Sequence, residues 1–207
     1  MAQGAGLFIV ITGPTGVGKS TVAQELIQRN QQICKSISVT TRPLRDNEQE
    51  GVEYRFKSRQ AFEEMIDRGA FIEYVLQFNT YYYGLERAQV EQMRNDGKDV
   101  ILELDVDGAK RIRRSIPDAV FIYVLPPDIT ALRTRLESKQ ISEEERLQYM
   151  RRSCDYVGDA MNFRYVVTND DARTCARRIE SIIEAERYLS ARNEEAIENL
   201  MRQCERS

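Results

Sequence analysis

Consecutive apolar residues come in three short runs along the chain: "LFIVIT" from Leu7 to Thr12, "DVILEL" from Asp99 to Leu104, and "AVFIYVL" from Ala119 to Leu125. Each is rich in β-branched or aromatic side chains and predicts a strand buried on both faces, as in a parallel sheet. A fourth run, "RYVVT" from Arg164 to Thr168, predicts a last strand. Between the runs the apolar period changes to that of a helix. Val22, Ala23, Leu26 and Ile27 form one face of a helix predicted over Lys19–Gln31. Further helices are predicted from Ser58 to Asp67, with Gly69 placed to end it, and from near Leu85 to Gly97. Pro126-Pro127-Asp128 opens another, and Ser142-Glu143-Glu144-Glu145 has the form of a capping box. A long helix follows the last strand, with Ile179, Ile182, Ile183, Tyr188 and Leu189. Strands alternating with helices predict an α/β layer fold on a parallel sheet. The span from about Ser38 to Asp96 breaks this rhythm. It is polar and turn-rich after Ile37–Val39, with short strands at Phe71–Leu76 and Tyr81–Tyr83, and reads as an inserted lobe.

The length of 207 residues suits one domain with a substantial core. Lys+Arg 30 against Asp+Glu 33 gives a formal net charge of -3. No large positive field is available to hold a phosphate backbone, so nucleic acid is not an expected partner. No apolar run approaches membrane length, and the start lacks the basic n-region of a signal peptide, so a cytoplasmic location without membrane contact is expected. Cys34, Cys154, Cys175 and Cys204 show no Cys-x-x-Cys spacing and read as reduced thiols. Histidine is absent, which removes histidine triads and dyads and histidine metal sites.

Gly13-Pro14-Thr15-Gly16-Val17-Gly18-Lys19-Ser20 fits the phosphate-loop pattern, between a predicted buried strand and an amphipathic helix. In such a loop successive backbone N–H groups wrap phosphates, the lysine reaches the outer phosphates, and the serine hydroxyl ligates Mg²⁺. The helix N-terminus adds partial positive charge. ATP or GTP binding is therefore expected. Arg42-Pro43-Leu44-Arg45 sets two guanidiniums three residues apart, with Pro43 stiffening the backbone between them. Such a pair can converge on one phosphate. Two solvated surface arginines would look the same.

Set in order, "GPTGVGKS", "SVTTRPLR", "GVEYRF", "FIEYVLQF", "YYGL", "ILELDVDG" and "VVTNDD" resemble the guanylate kinase family, with matching spacing over nearly the whole chain. The resemblance implies a single domain, 1–207, of the P-loop NTPase fold. Its parallel-sheet core with helices on both faces would comprise 1–37, 97–130 and 164–207. A nucleoside-monophosphate lobe would span 38–96 and a helical lid 131–163. It also implies transfer of a phosphoryl group from ATP, with Mg²⁺, to GMP and dGMP. By position, the loop Gly13 to Ser20 with Thr21 and Asn169 would bind ATP, and Ser20 would hold the metal. Ser38, Arg42, Arg45, Tyr54 and Tyr83 match the residues that grip the acceptor's phosphate. Glu73 and Asp105 match the guanine-reading carboxylates. A carboxylate can accept from N1–H and the exocyclic amine of guanine together, whereas adenine presents an acceptor at N1. Glu103 falls at a strand end where it could orient the water shell of Mg²⁺. Lys19, Arg135 and, from the acceptor side, Arg45 are expected to stabilise the transferring group.

The chain also departs from the family pattern. One extra residue lies between Glu73 and Gly84, absorbed by Tyr81-Tyr82-Tyr83. Leu85 stands where the family has a hydroxyl residue able to bond the base. The strand end reads Glu103-Leu104-Asp105-Val106-Asp107-Gly108, with a longer first carboxylate and no glutamine. In the lid segment Arg135-Leu136-Glu137-Ser138-Lys139-Gln140, Lys139 puts a point charge where a fork is usual. Tyr149 occupies the place of the lid-helix arginine. Arg146 and Arg152 flank it by three residues on one helical face, and Arg152 is the expected catalytic substitute. Two rivals share these motifs: a ribose-bisphosphate phosphokinase, to which Leu85 lends weight, and a non-catalytic phosphopeptide-binding module, which the intact "GPTGVGKS" opposes. Oligomeric state is left open.

Overall fold

A computed structural model describes residues 5–46, 48–77, 79–139 and 141–206; Gln140 of the expected lid motif lies outside the described residues. The first half of the chain contains β1 (Phe8–Thr12), α1 (Lys19–Arg29), β2 (Ile33–Lys35), β3 (Val39–Thr40), β4 (Arg55–Phe56) and α2 (Arg59–Asp67). There follow β5 (Phe71–Gln77), β6 (Tyr81–Glu86), α3 (Arg87–Asn95), β7 (Asp99–Glu103) and α4 (Val106–Ile112). The remainder forms β8 (Val120–Leu125), α5 (Ile129–Glu137), α6 (Glu143–Val157), β9 (Tyr165–Thr168), α7 (Ala172–Arg187) and α8 (Glu194–Cys204).

The main sheet has the order β2-β7-β1-β8-β9, with every neighbouring pair parallel. Its central strand explains the unbroken apolar run. Ile9 and Ile11 pack on one side with Val22, Ala23 and Leu26 of α1 and Cys175, Ala176 and Ile179 of α7. Phe8 and Val10 pack on the other with Val90 of α3 and Val106, Ala109 and Ile112 of α4. Helices therefore cover both faces, and a polar residue on either side would meet no water. At the lower edge, the fully buried Asp99 accepts from the Leu7 N–H at 2.8 Å and pairs with Arg187.

Residues 39–86 carry a second sheet, β4-β3-β6-β5, in which β3–β6 and β5–β6 are antiparallel. Its small core is Val39, Phe62, Met65 and Phe71. Phe62 of α2 stacks on Phe71 at 4.4 Å and on Tyr82 at 5.0 Å between centroids. Ser58 caps α2 by accepting from the Ala61 N–H, and Gly69, at φ +67, takes the left-handed turn that ends it.

Several elements differ from their sequence expectation. Leu85 belongs to β6, which runs on to Glu86, and is buried in the main core, so α3 begins at Arg87 rather than at Leu85. α1 stops at Arg29 because Asn30 is extended. Tyr188, expected within the long helix, follows the end of α7 and is 74% exposed. The short strands β2 to β4 and the seven-residue α4 carry too little periodicity to be read, whereas the C-terminal α8 has Ile197, Leu200, Met201 and Cys204 at helical spacing and is an addition to the sequence expectation. The capping box of α6 is present in full, with Ser142 and Glu145 each bonding the other's backbone.

Candidate active site

The phosphate loop sits where β1 turns into α1. Gly13 has φ +141, and a Cβ there would lie 2.2 Å from the Val124 carbonyl oxygen. Gly18 has φ +96, and its Cβ would meet Asn169 Nδ2 at 2.5 Å. Both conformations exclude ordinary L-residues, so these glycines are dictated by the loop's path. Lys19 Nζ donates to the carbonyls of Gly13 (2.7 Å) and Pro14 (3.1 Å). Burial pushes its ammonium down to about 8; Glu103 and Asp105 oppose the shift and Lys139 adds to it.

Arg135 of α5 donates to the carbonyls of Val17 (3.0 Å) and Asn169 (2.9 Å). Asn169, 3% exposed at the end of β9, donates to the same Val17 carbonyl at 2.8 Å. Thr15, Gly16, Gly18, Lys19, Ser20, Thr21, Arg135, Ser138, Lys139 and Asn169 all line one cleft of about 460 Å³, with Ala172 completing its wall. Gly13, Pro14 and Val17 do not line it. They act through their carbonyls, which hold Lys19, Arg135 and Asn169 in place.

A second cleft, of about 290 Å³, opens between the two sheets and gathers Ser38, Tyr54, Glu73, Tyr83, Asp105 and Arg152, with Leu85 in its wall. A β-bulge between Phe71 and Glu73 aims the carboxylate. Phe71 of the small core and the exposed Tyr74 share one face, their rings 6.1 Å apart, a spacing of three residues that a regular strand would not allow. Without the bulge Glu73 would share Phe71's face; with it, Glu73 joins Leu85, Val75 and Tyr83 on the cleft side.

Arg42, 8% exposed, lies over the rings of Tyr54 (5.5 Å) and Phe56 (5.8 Å) and pairs with Glu48 at 2.7 Å. That bond to Glu48 and one to Tyr83 raise its already high basicity. Neither Arg42 nor the exposed Arg45 side chain lines the cleft; the Arg45 backbone N–H donates to Glu48 at 3.0 Å. Asp105 caps α4, accepting from the Gly108 N–H at 2.6 Å.

Helix α6 sends Arg152 into this second cleft. It donates to Asp107 (2.9 Å) and to the Tyr156 hydroxyl (2.7 Å), and stands 3.8 Å from Asp105. Arg146 lines neither cleft. Burial pushes the Tyr149 hydroxyl of α6 up, with Glu145 and Tyr83 adding and the guanidiniums of Arg152 and Arg45 opposing. Ser153, one residue on from Arg152, is buried against the loop, its hydroxyl 3.5 Å from the Thr15 carbonyl.

One contact was not legible beforehand. Arg111 of α4 donates through Nε (3.0 Å) and Nη2 to Oε1 of Glu73. Finding it needed α4 itself, and the signal available was the Asp105 cap three residues before Gly108.

A model of the guanylate kinase family matches residues 6–186. A guanylate kinase of Clostridioides difficile is 40% identical over 184 residues, covering 88% of this chain and 89% of that one. One of Symbiobacterium thermophilum is 38% identical over 193 residues, covering 93% and 91%. The crystal structure of guanylate kinase from Anaplasma phagocytophilum superposes with a TM-score of 0.72 at 30% identity, covering 91% of this chain and 89% of that one. With a phosphate loop of this form, an acidic cleft beside it, and matched relatives along nearly the whole length, the chain belongs to the guanylate kinase family.

Proposed function

We propose that the chain transfers the terminal phosphoryl group of ATP to GMP and dGMP, releasing ADP and the nucleoside diphosphate. In this reading residues 1–37, 97–130 and 164–207 carry the donor, 38–96 the acceptor, and 131–163 the lid. The observation that carries it is the meeting of the two clefts at Glu103. This carboxylate, at the end of β7, accepts from the Ser20 hydroxyl at 2.7 Å on the donor side and lines the acceptor cleft as well.

Phosphoryl transfer asks mainly for positioning and for positive charge around a loose transition state, and a chain without histidine can supply both. Lys19 and Arg135 flank the loop where the outer phosphates of ATP would lie, with Lys139 in the same cleft. Ser38, Arg42, Tyr54 and Tyr83 are suited to the acceptor's phosphate, since the tyrosines add donors without adding charge. Arg45 contributes from outside the cleft. Arg152 supplies, one turn along α6, the cation that Tyr149 does not. Glu73 and Asp105 are placed to read the guanine edge.

Among the described residues, no group of three or more His, Cys, Asp or Glu could hold a metal alone. Ser20 instead offers a single hard oxygen at the loop. Such a sparse set fits Mg²⁺, which takes one or two protein ligands and completes its shell with phosphates and water. Ser20 would ligate it and Glu103 would orient its waters; the ion supplies charge neutralisation on the phosphoryl oxygens. No described helix is long and apolar enough to cross a membrane. The unpaired thiols of Cys34, Cys154, Cys175 and Cys204 support a cytoplasmic setting.

The test is a coupled ADP-release assay with Mg·ATP and GMP, dGMP, AMP, UMP or ribose 1,5-bisphosphate, each against an acceptor-free control. Turnover confined to the guanine nucleotides is expected. Turnover with the ribose bisphosphate instead, or ATP binding without turnover on any acceptor, would refute the reading.

A further inference from the structure

Glu73 is an unusual place to find a guanidinium. Its side chain is 8% exposed, and both bonds from Arg111 fall on one oxygen, Oε1. Oε2 is left as the carboxylate's remaining acceptor. The pairing joins α4 to the bulged strand β5, and no other described residue hydrogen-bonds the Glu73 carboxylate. Around it stand mostly acids and neutral donors: Asp105 and Asp107 at the start of α4, Glu103 at the end of β7, Tyr54 and Tyr83 from the smaller lobe, and Arg152 from α6.

Resting on the guanine-reading role given to Glu73 above, we propose that Arg111 is the positioning residue for base recognition, holding Oε1 so that the carboxylate presents Oε2 to the N1–H and exocyclic amine of guanine. The electrostatics of the cleft agree with this role. Burial pushes the Glu73 carboxyl up and Asp105 pushes it further, while the bonds and charge of Arg111 oppose both. A protonated Glu73 loses its capacity to accept from both base donors. Removing Arg111 therefore leaves a buried carboxyl among carboxylates, and it takes up a proton at higher pH than before. Leu85, without a hydroxyl, leaves more of the base's recognition to this pair. Arg111 is itself 45% exposed, so its replacement does not open the core.

The experiment compares Arg111→Gln, Arg111→Lys, Glu73→Gln and the Glu73→Gln/Arg111→Gln double variant with the unmutated chain, measuring kcat/KM for GMP from pH 6 to 9. Dividing each variant's value by that of the unmutated chain cancels the titration of the GMP phosphate, whose second pKa is about 6. The expected result for Arg111→Gln is a loss of about tenfold or more at pH 6, the scale of a charge-assisted hydrogen bond, which shrinks as pH rises toward 9. KM for ATP should stay unchanged, and Arg111→Lys should restore part of the loss. Glu73→Gln should show a loss independent of pH, and the double variant should lose no more than Glu73→Gln. A pH-independent ratio for Arg111→Gln, an equal rise in KM for ATP, or additive losses in the double variant would overturn the inference while leaving the kinase reading intact. Absence of GMP turnover by the unmutated chain would overturn that reading and this inference with it.

Discussion

Gly84 offers a test of how the small lobe holds the acceptor cleft open. Its backbone is not in the left-handed region, so strain at φ is not the issue; space is. A Cβ built there would lie 2.7 Å from Phe71 Cδ1 and Cε1 and 2.8 Å from Phe62 Cζ. Carbon atoms in contact ordinarily sit about 3.5–4.0 Å apart. Neither ring can retreat easily: Phe62 is fully buried and stacked between Phe71 and Tyr82. Gly84→Ala should cost about 1–3 kcal/mol, the range for overpacking a filled core. For a chain of this size that lowers the melting temperature by about 2–12 °C. Gly84 is flanked by Tyr83 and paired with Tyr74, next to Glu73, so the shift should also raise KM for GMP and leave KM for ATP unchanged. Gly158→Ala is the control, since nothing lies within 4 Å of its Cβ and it should be neutral or slightly stabilising. Thermal unfolding by circular dichroism, with steady-state kinetics on both substrates, reads the outcome. A Gly84→Ala melting temperature equal to that of the unmutated chain, or destabilisation with KM for GMP unchanged, would refute the reasoning.

Three further outcomes follow from the same geometry. Lys19 must be protonated to meet phosphate, and burial lowers it from 10.5 to about 8, so kcat/KM for ATP should fall about tenfold per unit as pH rises above about 8. Lys139→Gln removes a repelling charge and should move that limb to higher pH; a profile flat to pH 10 in the unmutated chain would contradict the assignment. Asp99→Ala strips the Leu7 N–H and Arg187 of their partner in a fully buried position and should destabilise by about 3–5 kcal/mol in urea unfolding, with no such loss refuting the structural role. Arg152→Ala should lower kcat about 10–100-fold, the equivalent of a charged hydrogen bond of about 1.5–3 kcal/mol, and retention of full kcat would remove Arg152 from the chemistry.

The sequence was sufficient for whatever depends on neighbours in the chain. The continuous apolar runs require strands with no wet face, and β1, β7 and β8 are those strands. Glycines at 13, 16 and 18 followed by Lys19 and Ser20 require a tight loop opening a helix, and Ser142 with Glu145 requires a helix start; both interactions span a few residues, where local propensity decides. Other features depend on distant parts of the chain. Arg135 reaches Val17 across 118 positions, Arg111 reaches Glu73 across 38, and Arg187 reaches Asp99 across 88. None of these pairings leaves a periodic trace. The sharpest case is Glu73 itself. Alternation along β5 would place it beside Phe71 in the small core, and a single extra residue in the strand turns it to the cleft instead. Which way it points is fixed by the stacking of Phe62, Phe71 and Tyr82, an energy that exists only once α2, β5 and β6 are packed together.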